Sequence, residues 1–190
     1  MIDTNTALIF FCALIISLSI HEFGHAFVAW KLGDSTARQL GRVTLNPLNH
    51  LDPMGTIMLV VLAFQGVGLG WAKPVPVNPY NLENPRRDMA WISFAGPASN
   101  FIQALLGAMI LVALLRFQVI DSQHRVGVNG ILFDGLRIFV SVNISLFFFN
   151  MLPIYPLDGS KIVAVFLPAP LAFRFEKKMI EWGMKPFIVL

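Results

Sequence analysis

The apolar residues at positions 7–30 leave the chain few ways to fold, because about 20 such residues are enough to cross ~30 Å of hydrocarbon. Hydrocarbon offers no hydrogen bonds, so a segment buried there must satisfy its own backbone, and a single segment does so only as a helix. Further apolar blocks follow at 54–69, 89–115 and 131–152, and another begins at Pro186. The block at 54–69 is short for a crossing and ends in Gly66, Gly68 and Gly70, which favour a bend, so it is expected to re-enter. The composition agrees: 56% of the 190 residues are apolar, 13% are charged and the mean hydropathy is +0.67, well beyond ordinary soluble domains. The expected fold is an all-α polytopic membrane protein, one integral membrane domain over 1–190. It has a three-helix core with spans at about 7–30, 89–115 and 131–152 and a re-entrant segment at 54–69. Short strand-like loops, a basic connector at 160–185 and a final span starting about 186 complete it, so a last crossing is expected to continue past Leu190.

Inside the first block stands His21-Glu22-Phe23-Gly24-His25, an H-E-x-x-H. On a helix, positions four apart share a face, so both imidazoles can reach one ion, with the Glu22 carboxylate beside them to take a proton from a zinc-held water. Ionisable side chains are costly in hydrocarbon, and three within five residues call for a function or for partners. A catalytic zinc needs a third protein ligand, and Asp158 is the candidate. It follows the fourth block in a run where Pro153 and Pro156 break the helix, and irregular backbone at such depth is tolerated only beside protein or a water-filled cavity. Asp158-Gly159 is also a common turn pair, so a turn or a helix cap is the competing reading.

Other features narrow the function classes. The net charge of +3 arises from basic residues spread between apolar blocks, which argues against a nucleic-acid partner. Cys12 is the only cysteine, which excludes an intrachain disulfide and a thiolate metal cluster. Residues 1–6 carry no Lys or Arg, so a cleaved secretory signal is not expected. Residues 37–46 mix β-branched and polar side chains and suggest a short strand or hairpin, while four prolines between 71 and 85 favour extended backbone.

The HEFGH sequence, Phe94-Ala95-Gly96-Pro97-Ala98-Ser99-Asn100, and the run from Asn150 to Asp158-Gly159 occur in an order that resembles the site-2 protease family of intramembrane zinc metalloproteases. Asn46-Pro47-Leu48, Asp52-Pro53 and the stretch from Gly70 to Pro79 extend the likeness to compact prokaryotic members without PDZ or CBS modules. The resemblance implies one zinc ion (Zn2+) per chain held by His21, His25 and Asp158, with Glu22 as the catalytic carboxylate. It implies hydrolysis of peptide bonds in or near the transmembrane segments of membrane-protein substrates, in the plasma membrane of a prokaryote. The tetrahedral oxyanion needs a further donor, for which Asn150 is the first candidate and Asn100 the second; an interhelical hydrogen bond is the alternative role of each.

Crossing parity sets the topology. Both ligand sets lie toward the carboxyl ends of their segments, so the first and fourth blocks should run parallel, with one crossing between them. Lys31, Arg38, Arg42, Lys73, Arg86, Arg87, Lys161, Arg174, Lys177, Lys178 and Lys185 then share one side, and Arg116, Arg125 and Arg137 fall on or near the other. Cytoplasmic loops are enriched in Lys and Arg, so the expected zinc site is nearer the cytoplasmic face. A membrane metal-ion transporter or an inactive membrane-protein-binding homologue are the alternatives; no inverted repeat supports the first, and the intact motif argues against the second. Oligomeric state is left open.

Overall fold

The computed structural model describes residues 4–63, 72–121 and 127–182. In chain order the helices are α1 (Thr4–Lys31), α2 (Thr36–Gln39), α3 (Pro53–Ala63), α4 (Pro85–Arg116), α5 (Gly127–Met151), α6 (Asp158–Phe166) and α7 (Ala169–Trp182). Helices α1, α4 and α5 are each long and apolar enough to cross a membrane. At 1.5 Å per residue, even the 25 residues of α5 rise about 37 Å. The chain is an all-α polytopic membrane protein. Among the described residues the nearest thing to sheet is an isolated antiparallel bridge between Leu51 and Ala72.

Local chemistry explains the helix ends. Pro85 opens α4 at a position whose N–H would have no helical partner anyway. There Asp88 accepts the Asn84 N–H (2.9 Å) and returns its own N–H to the Asn84 carbonyl (2.8 Å). Asp52 does similar work for α3, accepting the Gly55 N–H at 2.8 Å. Helix α3 has 11 residues, about 16 Å of rise, and the rest of its apolar block, 64–69, lies outside the described residues, as does the block beginning at Pro186. The stretch expected as a basic connector holds α6 and α7, two helices in contact with each other.

Residues 37–46 do not form the expected strand or hairpin. The Asp34 carboxylate accepts from the Thr36 N–H (3.0 Å) and hydroxyl (2.5 Å), which starts a helical turn at Thr36–Gln39. Gly41, at φ +68°, then ends the turn in a left-handed conformation suited to glycine, and the Arg42 N–H closes on the Ala37 carbonyl at 2.9 Å. The Asp34 turn and a glycine outweigh a weak β propensity.

The fold divides into two compact units, and α1, α4 and α5 each give part of their length to both. The first draws on Met1–Ile20, Asn46–Pro74 and Asn100–Ser145. Its centre is polar: Asn100 Nδ2 donates to Asn143 Oδ1 (2.9 Å), and Asn143 Nδ2 donates to Ser17 Oγ (2.8 Å) and the Phe139 carbonyl (3.0 Å). These three side chains, one from each long helix, are fully buried. The second unit comprises His21–Leu45, Val75–Ser99 and Leu146–Leu190. Ala29, Leu82 and Ile92 form its apolar core, with Val28, Leu32, Val77 and Met89 packed around them. Asp34 pins its loops, accepting also from the Asn78 N–H (2.7 Å) and the Asn81 amide (2.8 Å).

Candidate metal centre and active site

His21 and His25 stand one turn apart on α1, and both are buried. Their Nε2 atoms are 2.9 Å apart, and each lies 3.2 Å from the same oxygen, Asp158 Oδ2. Zinc bonds of about 2.0–2.1 Å would place tetrahedral ligands about 3.3 Å from one another. The three atoms therefore match one face of such a tetrahedron, and two imidazoles with one carboxylate suit zinc. Among the described residues this is the one cluster of three or more His, Cys, Asp or Glu side chains close enough to hold a metal.

Asp158 reaches the histidines because the helix breaks after α5 and a new one begins at Asp158. Helix α5 stops at Met151, Pro153 and Pro156 interrupt any continuation, and α6 begins with Asp158 as its first residue. Gly159 lets the start of α6 press on the end of α5, since a Cβ there would collide with the Met151 and Leu152 carbonyls. The turn reading of Asp158-Gly159 and the ligand reading are thus compatible: Asp158 opens a helix while its carboxylate faces the imidazoles.

Helix α4 supplies none of these three groups yet backs two of them. The Ile92 carbonyl lies 2.6 Å from His25 Nδ1, so the ring donates its Nδ1–H there and turns the Nε2 lone pair toward Asp158 and His21. Gly96 lies flat against both rings: a Cβ would come within 2.6 Å of His21 Cε1 and closer still to His25. Gly24 repeats this from α1, where a Cβ would sit 2.9 Å from the Ala95 carbonyl. The Gly96 contact has a signal in the sequence, in the Phe94–Asn100 run. The Ile92 carbonyl has none, because any residue carries one.

Glu22, between the two histidines in sequence, is buried. Asn150 lies in the same unit as the ligands, and its amide donates to the Leu146 carbonyl one turn back on α5 (3.0 Å). Asn100 belongs to the first unit, where its amide is engaged with Asn143, the interhelical role weighed above. Asn143 completes that knot and was not among the sequence candidates.

The sequence pattern of "Peptidase family M50" matches residues 9–127 and 119–190. The chain is 38% identical over 177 residues to the Bacillus subtilis protein named "Putative zinc metalloprotease YwhC", covering 93% of this chain and 77% of that one. It is 34% identical to a Mycolicibacterium smegmatis protein of the same description, Rip2, over 93% of this chain and 63% of the relative. A Methanocaldococcus jannaschii protein named a zinc metalloprotease is 24% identical over 90% of this chain and 38% of its own length. No solved structure matches the chain. With a family match along nearly its whole length and a donor set that fits zinc, the chain belongs to peptidase family M50, the site-2 proteases, and is a membrane zinc metalloprotease.

Proposed function

We propose that the chain cleaves peptide bonds in or near the transmembrane segments of other membrane proteins, the reaction of regulated intramembrane proteolysis. The observation that carries this reading is the His21–His25–Asp158 triangle, whose two histidines stand on a helix long and apolar enough to span the bilayer. One zinc ion would supply a water of pKa about 7 and polarise the scissile carbonyl. Glu22 takes the proton from the attacking water and returns it to the leaving amine. His21, His25 and Asp158 hold the ligand geometry, with the Ile92 carbonyl fixing the His25 tautomer. Asn150 is the proposed donor to the developing oxyanion: it shares the ligands' unit, and its bond to Leu146 is one a rotamer change can release. Asn100, held in the knot, is the second choice.

A substrate helix must open before it can be cut, because its backbone is already satisfied. Residues 73–78 follow the Leu51–Ala72 bridge without helical structure, and Pro74 and Pro76 remove two donors from this stretch. Such an extended chain can accept an unwound substrate as an added strand.

The proposed location is the plasma membrane, with the site nearer the cytoplasmic face. Trp30 supports the depth: Lys31 Nζ lies 4.8 Å and Arg38 Cζ 4.5 Å from its ring centre, an aromatic anchor of the kind found at the interface. Counting back along α1, His25 lies about 7 Å and His21 about 14 Å inside that marker.

The test is reconstitution in liposomes with a single-span substrate, mapping the cut by mass spectrometry with and without a zinc chelator. Cleavage within the apolar span that the chelator abolishes is expected. Zinc flux without cleavage would point to transport instead.

A further inference from the structure

We infer that Arg86 is a positioning residue for the Asp158 carboxylate, acting through α6 from its far end. The inference rests on the reading of Asp158 as the third metal ligand. Helix α6 has nine residues, with Asp158 first and Pro168 two residues past its last. Its final carbonyls have no helical donors, as at any helix C-terminus. The Arg86 Nη2 group fills that gap from 78 to 81 residues earlier in the chain, donating to the carbonyls of Ala164 (2.7 Å), Val165 (3.1 Å) and Leu167. A guanidinium there also meets the negative end of the helix dipole.

The origin of Arg86 gives the contact its meaning. It is the second residue of α4, the helix whose Ile92 carbonyl orients His25 and whose Gly96 lies against both imidazoles. One helix therefore fixes the histidines through its backbone and the aspartate through Arg86. Gly159, pressed on the Met151 and Leu152 carbonyls, sets where α6 begins. Arg86, about 12 Å along the axis, sets the direction in which α6 runs, and the Asp158 side chain follows that direction. Metal ligands tolerate errors of only about 0.2 Å in bond length, so a small tilt of this short helix would disturb the triangle.

The full chain in detergent, loaded with Co2+ in place of zinc, gives three readouts: the cobalt absorption bands, the rate of metal removal by a chelator, and the unfolding temperature. For Arg86→Gln, altered bands and about tenfold faster metal removal are expected, as for loss of other groups that orient ligands. Arg86→Lys keeps the charge at the α6 terminus and should recover part of both. Arg87→Gln, whose guanidinium instead meets Asp88, should match wild type. Wild-type bands and removal rate in Arg86→Gln would overturn the inference, whether or not the unfolding temperature fell. If Arg86→Gln does not accumulate, Arg86→Lys decides: an intermediate rate supports the inference and a wild-type rate overturns it. Asp158→Asn separates the two levels. Loss of metal there with none in the Arg86 variants removes this inference alone, whereas retention in Asp158→Asn removes the ligand reading beneath it.

Discussion

A methyl group added at Gly96 would have to share space with the rings of His21 and His25, and the backbone of α4 gives it nowhere to go. Gly96→Ala should therefore lower zinc affinity by about tenfold or more, read as metal content per chain after purification. Gly135→Ala is the matching control, because its Cβ would meet only Ile9 Cγ2 at an ordinary 3.9 Å. Replacing a helical glycine there should leave metal content unchanged and stabilise by about 0.5–1 kcal/mol. Asp34 makes a prediction about pH. Its burial favours the neutral form, but hydrogen bonds from Thr36, Asn81 and Asn78 prevail and lower its pKa below the ordinary 3.8. A depressed folded-state value means the carboxylate's contribution is complete above 3.8 and lost as pH falls through the lower folded value. Asp34→Ala should cost about 2 kcal/mol near neutral pH. The stability difference between the two proteins should hold above pH 3.8 and shrink progressively as pH falls below it.

Among the helices, the Ser17–Asn100–Asn143 knot replaces the hydrophobic drive that a bilayer cannot supply between spans. Asn143→Ala should destabilise by about 1–2 kcal/mol, because it removes buried hydrogen bonds to partners on two other helices. The Asn100→Ala/Asn143→Ala pair should cost less than the sum of the single changes, and detergent unfolding in a double-mutant cycle would show it. The knot also marks what the sequence hid. The spans were readable because their apolar blocks are long, and His21, His25 and Asp158 because few residue types bind zinc. The partner of a buried amide has no such signature, so Asn100 could be offered for the oxyanion when its amide is bonded to Asn143. Helix α4 was harder still: it carries none of the three clustered groups, and its work is done by a carbonyl, a missing side chain and an arginine among many. Residues 37–46 suggested a short strand or hairpin because the Asp34 turn onto Thr36 and a glycine at 41 act through single contacts that a propensity average does not register.

For the whole molecule, the proposed topology makes the basic loops cytoplasmic. With the exposed Cys12 replaced by serine, single cysteines at Thr36 and Asn78 should be labelled only from the cytoplasmic side and one at His124 only from outside. Labelling at position 78 from outside while 36 is reached only from inside would mean that the second apolar block crosses. The buried triangle is expected to hold a zinc ion with which Glu22 cuts a substrate span. The most direct measurement pairs metal content with single-turnover cleavage for wild type and Glu22→Gln. One zinc per chain is expected in both proteins, with cleavage lost in Glu22→Gln by at least about a hundredfold. Equal cleavage by the two, or wild-type cleavage with no metal bound, would contradict this expectation.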